Sequence, residues 1–180
     1  MWCVMHVEDG QEKHTERFLK GFLEDRLCDD CFHLTRLRRK KYGGKWQTVE
    51  ENLLPGYVFI DTDKPEELHR ELKRTAGRKI LGSDDAHVSV LEGAEADFIG
   101  KIAGDGGRRG EIALSKIRIL KDGRAEVLSG PLCHVEGLVR KIDLHRRTAE
   151  IETDFMGQKK RLYLGVEFDD VVCGADEAGT

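Results

Sequence analysis

Trp2 to Val7 is a short apolar run rich in strand formers, which predicts a buried first strand. Asp9-Gly10-Gln11-Glu12 then supplies the acceptor and the glutamate of a capping box. Behind it Phe18, Leu19, Phe22, Leu23 and Leu27 recur at helical spacing, so an amphipathic helix is expected over about residues 10–27. Cys31 to Lys41 reads as a strand entering a basic turn at Gly43-Gly44, with Lys45 to Glu51 returning antiparallel. Pro55 and Gly56 interrupt regular pairing, and Tyr57 to Ile60 is a strand. Pro65 suits a first helical turn, and Leu68 and Leu72 share a face, giving a short helix through about Arg74. Ile80 to Leu81 and His87 to Val90 are candidates for brief strands. Ser89 and Glu92 have capping-box spacing ahead of a weaker helix carrying Ala94, Phe98, Ile99 and Ile102. This order of elements implies helices on an antiparallel sheet, an α+β domain.

Four glycines crowd the seven residues Gly104 to Gly110, a composition that suits a linker. Beyond it come short strand-like runs at Ile117 to Leu120, Ala125 to Leu128, Gly137 to Ile142, Thr148 to Thr153 and Lys160 to Val166. Asp122-Gly123 and Met156-Gly157 are suitable hairpin turns. Five short strands in this space describe a small five-stranded β-barrel. The expected division is residues 1–103 as the α+β domain, 104–114 as the linker, 115–172 as the barrel and 173–180 as a disordered tail.

Composition refines this picture. With 39% hydrophobic and 36% charged residues, the chain has a modest core and a heavily charged surface. No apolar run approaches the roughly 20 residues needed to cross a bilayer, and the N-terminus lacks a signal-peptide layout. The five cysteines are odd in number and scattered, which fits reduced thiols better than a secreted disulfide framework. A soluble, cytoplasmic monomer with no membrane contact is the expectation. Net charge is −4, yet Arg36, Arg38, Arg39, Lys40, Lys41 and Lys45 fall in one stretch without an acid. An acidic chain with a local basic strip suggests polyanion contact at one face.

Two segments carry a family resemblance. Trp2-Cys3-Val4-Met5-His6-Val7-Glu8-Asp9-Gly10-Gln11-Glu12 resembles the opening strand and Gly-x-Glu helix start of the NusG family. Leu53-Leu54-Pro55-Gly56-Tyr57-Val58-Phe59-Ile60 is similar to that family's aromatic Pro-Gly-Tyr-Val strand. The C-terminal part resembles a KOW module at Val127 to Pro131, Gly137 to Asp143 and Phe155 to Gly157. The resemblance implies an N-terminal NGN domain that docks on the clamp-helix tip of RNA polymerase and favours processive elongation. It also implies a KOW barrel that contacts RNA, a ribosomal protein or a termination factor. Carried over by residue, the polymerase-facing set is His6, Leu54, Pro55, Tyr57 and Phe59, with His69 and Arg70 toward the opposite side of the cleft. Leu53-Leu54 replaces the Phe-Phe usual in the housekeeping factor, Thr75 to Gly82 departs from its Pro-x-Val-x-Gly-Phe segment, and Gln158 to Arg161 is basic. These departures resemble a specialised paralogue similar to the LoaP antiterminators.

Each candidate contact also has a plainer reading. Tyr57 and Phe59, two apart on a strand, face the same side and suit either a core or an interface. The basic hairpin, residues 36 to 45, can reach phosphates of nascent RNA or nearby DNA, or can simply keep an edge strand soluble. Trp46 can stack on a base or anchor the hairpin. A second basic set comprises Arg140, Lys141, Arg146, Arg147, Lys159, Lys160 and Arg161. It suits recognition of an RNA hairpin by shape and phosphates, or alternating charge on a barrel surface. Cys28-x-x-Cys31 lacks the second half of a zinc site, and Cys133-His134 lacks an orienting third group. No catalytic set, metal or cofactor is expected. The competing class is a ribosome-associated KOW-type RNA-binding protein, against which the Pro-Gly-Tyr-Val segment speaks.

Overall fold

The computed structural model describes residues 1–23, 27–76, 88–91, 93–104 and 109–169. β1 (Trp2–His6) lies inside a four-stranded sheet of order β2-β5-β1-β6, with β2 (Asp30–Phe32), β5 (Tyr57–Asp61) and β6 (Val88–Leu91). Every described pairing in it is antiparallel, and β1 and β5 run in register from Trp2 opposite Asp61 to His6 opposite Tyr57. Period-two alternation sends Cys3, Met5, Val58 and Ile60 to one face and Val4 and Phe59 to the other. The first face is covered by α1 (Glu12–Phe22), through Leu19, and by α2 (Pro65–Glu71) with the π-helical turn Leu72–Ala76, through Leu68 and Leu72. The second face receives α3 (Gly93–Ile102), through Phe98, Ile99 and Ile102.

Several sequence expectations shift in detail. α1 begins at Glu12 and ends at Phe22, followed by the extended C-cap Leu23, so Leu27 is buried outside the helix. Its N-cap is Gln11, which makes no side-chain cap bond; the Glu12 carboxylate instead accepts from the Gly10 amide at 3.2 Å. The single strand expected from Cys31 divides at His33-Leu34. β2 stays with β5, while β3 (Thr35–Tyr42) joins β4 (Lys45–Asn52) in a separate hairpin. Ser89 does not cap α3: it lies within β6 opposite Val4, and the helix starts at Gly93. The Ile80 to Leu81 strand, His87 and the tail from Cys173 fall outside the described residues. Within the stretch expected to be a linker, Glu111–Ile112 forms β7, which pairs parallel with β3 at Thr35 and Arg36.

The C-terminal strands form a curled sheet of order β10-β11-β12-β8-β9, comprising β8 (Ser115–Ile119), β9 (Ala125–Ser129), β10 (Val139–Asp143), β11 (Thr148–Phe155) and β12 (Gln158–Phe168). The five strands match the expectation, but closure into a barrel does not: no ladder joins β10 to β9 among the described residues. Two 3₁₀ turns, Pro131–His134 and Glu136–Leu138, occupy the crossover between β9 and β10.

The two regions share one core. Phe32, Leu34, Leu54, Phe59, Phe98 and Ile102 belong to the same buried cluster as Leu132, Ile151, Phe155 and Leu164. β12 also passes beside β3 with no room for a side chain at Gly165. A Cβ there would land on the Leu37 carbonyl and within 2.7 Å of Leu114 Cδ2. The C-terminal sheet is therefore seated against both the aromatic face of the first sheet and the basic hairpin.

Candidate functional site

The aromatic face is built around the turn preceding β5. Gly56 takes φ +84°, and an added Cβ would meet Asp9 Oδ1 at 2.8 Å, so this position needs glycine. Its amide donates to Glu12 Oε1 at 2.7 Å, and Val7 N donates to its carbonyl at 2.8 Å. Glu12, buried at the start of α1, thus ties the Gly-x-Glu segment to the Pro-Gly turn. Burial raises the Glu12 pKa, but the amide hydrogen bonds from Gly56, Glu12 itself and Gly10 outweigh it and leave the carboxyl below its ordinary value. This link fixes where Tyr57 emerges from the turn.

Tyr57 and Phe59 do share a face, and that face is covered. The Tyr57 ring meets Phe155 of β11 edge-on, with centroids 5.1 Å apart, and Phe59 lies 6.2 Å from the same ring. Phe59 is 0% exposed, Leu54 is buried and Tyr57 is half-buried, while Pro55 and His6 remain exposed. His6 stacks edge-on against Tyr57 at 5.3 Å, and Lys160 Nζ stands 5.8 Å from the Tyr57 ring centre. His6, Tyr57 and Phe59 thus gather beside Phe155, Leu54 belongs to the same buried cluster as Phe59, and Pro55 is exposed on the preceding turn. His69 and Arg70 do not join them: they lie on α2, which packs through Leu68 on the opposite face of the sheet.

The basic residues divide among several places. At the hairpin tip Lys41 and Lys45 are exposed, while Arg39 donates to Thr48 Oγ1 at 2.8 Å. Arg36, Arg38 and Lys40 converge on one carboxylate, Glu51, with the two arginines at 3.3 Å and 3.1 Å. Trp46 is met by the Arg147 guanidinium 3.9 Å from its ring centre, and Arg147 also lies over Phe168. One face of the indole is thus engaged across the seam, a role the sequence pattern did not single out. Arg140, Lys159 and Arg161 alternate with Glu150, Glu152 and Asp154 in loose ion pairs of 3.6–4.0 Å. Lys141 and Arg146 instead line a cleft with Arg36 and Arg38.

Other chemistry finds less support. Burial pushes the Cys28 thiol up to about 11 and that of Cys31 higher still, the reverse of what a redox nucleophile needs. Cys133 and His134 are exposed on a 3₁₀ turn. No helix among the described residues is long and apolar enough to cross a membrane.

Comparison with known proteins is consistent with this architecture. The family model described as "Transcription termination factor nusG" matches residues 1–97. The chain is 24% identical over 181 residues to the "Transcription termination/antitermination protein NusG" of Thermus thermophilus, covering 95% of this chain and 97% of that protein. It is 25% identical over 170 residues to the protein of the same description from Treponema pallidum, covering 87% of this chain and 90% of that one.

Proposed function

The chain belongs to the NusG family, and on that premise we propose that it regulates transcription termination or antitermination by binding RNA polymerase through His6, Leu54, Pro55, Tyr57 and Phe59. These residues form one contiguous apolar and aromatic face, the kind of surface that supplies a few dominant anchors worth roughly 2 kcal/mol or more each. The clamp-helix tip is the partner that the family resemblance implies. The C-terminal KOW sheet, with its basic residues, contacts leader RNA or another factor. Leu53 and Leu54, both buried where the housekeeping factor carries aromatics, support a specialised paralogue.

The observation that carries this reading is the Tyr57–Phe155 contact. Phe155 occupies the face that a polymerase helix would occupy, so the described arrangement is a closed form. Binding requires the KOW sheet to leave. Energy gained at the polymerase is then reduced by the cost of exposing Phe155, Phe59 and their neighbours.

Replacing Phe155 with serine removes the ring that covers Tyr57 while leaving the polymerase-binding residues in place. Phe155→Ser is expected to bind core RNA polymerase at least tenfold more tightly than the native chain, a gain of about 1.4 kcal/mol, and to alter readthrough in reconstituted transcription past a terminator. Affinity that is unchanged or weaker in a folded variant contradicts the proposal.

A further inference from the structure

Among the described residues, two clefts lie along the seam between the two regions. The larger, about 620 Å³, lies between α3 and the β11–β12 turn and mixes Glu95, Asp97, Glu152 and Asp154 with Lys101, Arg140 and Lys159, so it carries no surplus of positive charge. The smaller, about 240 Å³, is different in character. Arg36 and Arg38 reach it from β3, while Lys141 and Arg146 come from β10 and the turn after it.

The carboxylates near this smaller cleft are already engaged. Asp143 accepts from the Arg146 amide at 2.9 Å, Glu150 lies 3.8 Å from Arg161, and Glu51 serves Arg36, Arg38 and Lys40 together. Among the side chains that line the cleft, four cations, Arg36, Arg38, Lys141 and Arg146, face two carboxylates, Asp143 and Glu150. The Nε atoms of Arg36 and Arg38 are buried with no hydrogen-bond partner among the described residues. Burial, and then the neighbouring charge of Arg38, holds the Arg36 guanidinium below its ordinary pKa, as expected where like charges crowd. Tyr163 adds a wall to the cleft and is 40% exposed.

We propose that this cleft is a phosphate site for a nucleotide, presented as a single strand or free in solution, that is complete only while the KOW sheet is seated on the β3–β4 hairpin, so that its occupant latches the two regions together. The charge surplus selects an anion, and arginine forks suit phosphate oxygens. Tyr163 offers a face for the attached sugar or base. The cleft admits a phosphate with part of one nucleotide and is too small for a duplex. Because its lining comes from both regions, any ligand it holds stabilises their docked arrangement by linkage.

The inference deepens the nucleic-acid half of the function proposed above, and its test contains no polymerase. Fluorescence anisotropy would follow a short labelled oligouridylate at fixed salt, with adenosine monophosphate as competitor. The proteins compared are the native chain, Lys141→Gln with Arg146→Gln, Lys41→Glu with Lys45→Glu, and Gly165→Ala. The Lys141/Arg146 pair is expected to weaken binding roughly tenfold or more. Its salt dependence should also be shallower, by about 0.7 for each phosphate no longer neutralised. Gly165→Ala keeps every cation but parts the seam, and is expected to weaken binding to a similar extent. If Gly165→Ala does not fold, Phe155→Ser parts the seam instead.

Competition by the monophosphate at the oligonucleotide's own affinity supports the site with a free nucleotide as its occupant; failure to compete supports a strand. Native affinity in the Lys141/Arg146 variant, or in a folded seam variant, overturns the inference. Weakening confined to the Lys41/Lys45 tip variant overturns it too, while leaving the broader nucleic-acid reading intact. A native chain that binds neither probe removes both.

Discussion

The Glu12 carboxylate lies 2.7 Å from the Gly56 amide and 3.2 Å from the Gly10 amide, in a position almost closed to water. Removing it leaves the buried Gly56 amide unpaired, which costs about 1–3 kcal/mol. Glu12→Ala is therefore expected to lower the unfolding free energy by that amount, read from denaturant midpoints at an unchanged slope. Glu16, four residues further along α1, contacts His33 Nδ1 at 2.5 Å and Lys20 Nζ at 2.8 Å. Burial alone would raise its pKa, but the hydrogen bonds from His33 and Lys20 outweigh burial and hold it at about 2, against an ordinary 4.5. The unfolded chain then binds more protons across that interval. The Glu16 contribution is complete above about pH 4.5 and is lost as the pH falls toward 2. Glu16→Gln should flatten the acid limb of the stability curve in that window, and an acid limb as steep as that of the native chain contradicts the assignment. At this scale the sequence was partly legible. The Gly-x-Glu and Pro-Gly segments were visible as separate signals, but their union through one carboxylate spans 44 residues, and no local pattern encodes it.

Among the elements, strand and helix periodicity located most of the described architecture. Tyr57 to Ile60 lies within β5, the basic hairpin turns at Gly43-Gly44, and five C-terminal strands follow the glycine-rich stretch. The misses were places where tertiary pairing overrode a local motif. Ser89 had capping spacing, yet pairing with β1 extended the strand through it. Cys31 to Lys41 looked continuous, but the buried contact of His33 with Glu16 sits where the chain leaves one sheet for another. Gly165 gave no sequence signal as a point of close approach, because glycine in a strand has several explanations. Its Cβ position is filled by the Leu37 carbonyl and Leu114. Gly165→Ala should therefore cost about 1–3 kcal/mol through overpacking and should raise amide exchange along β3 and β12. Exchange at native rates would show that β12 and β3 do not pack as closely as described.

For the molecule as a whole, the aromatic pair resolves a question that composition left open. Tyr57 and Phe59 suited either a core or an interface, and the structure gives them a core contact supplied by the chain's own second region. The sequence could not reveal this, because Phe155 is remote in the chain and its KOW context predicts only a barrel residue. A face buried against a separable region can serve as both core and interface, at different times. The same logic explains the division of the basic residues. Some are held in ion pairs on β10–β12, Arg147 braces Trp46, and four line a cleft that spans the seam.

On the function proposed above, the C-terminal sheet must leave the Tyr57 face when polymerase binds. The most direct measurement is the distance between fluorophores placed at Asp97 on α3 and Asp154 on β11, which line the same cleft in the closed form. It would be read by single-molecule energy transfer before and after core RNA polymerase is added. High transfer is expected in the free protein, with a shift to low transfer on binding. High transfer retained in a complex that demonstrably contains polymerase would contradict it.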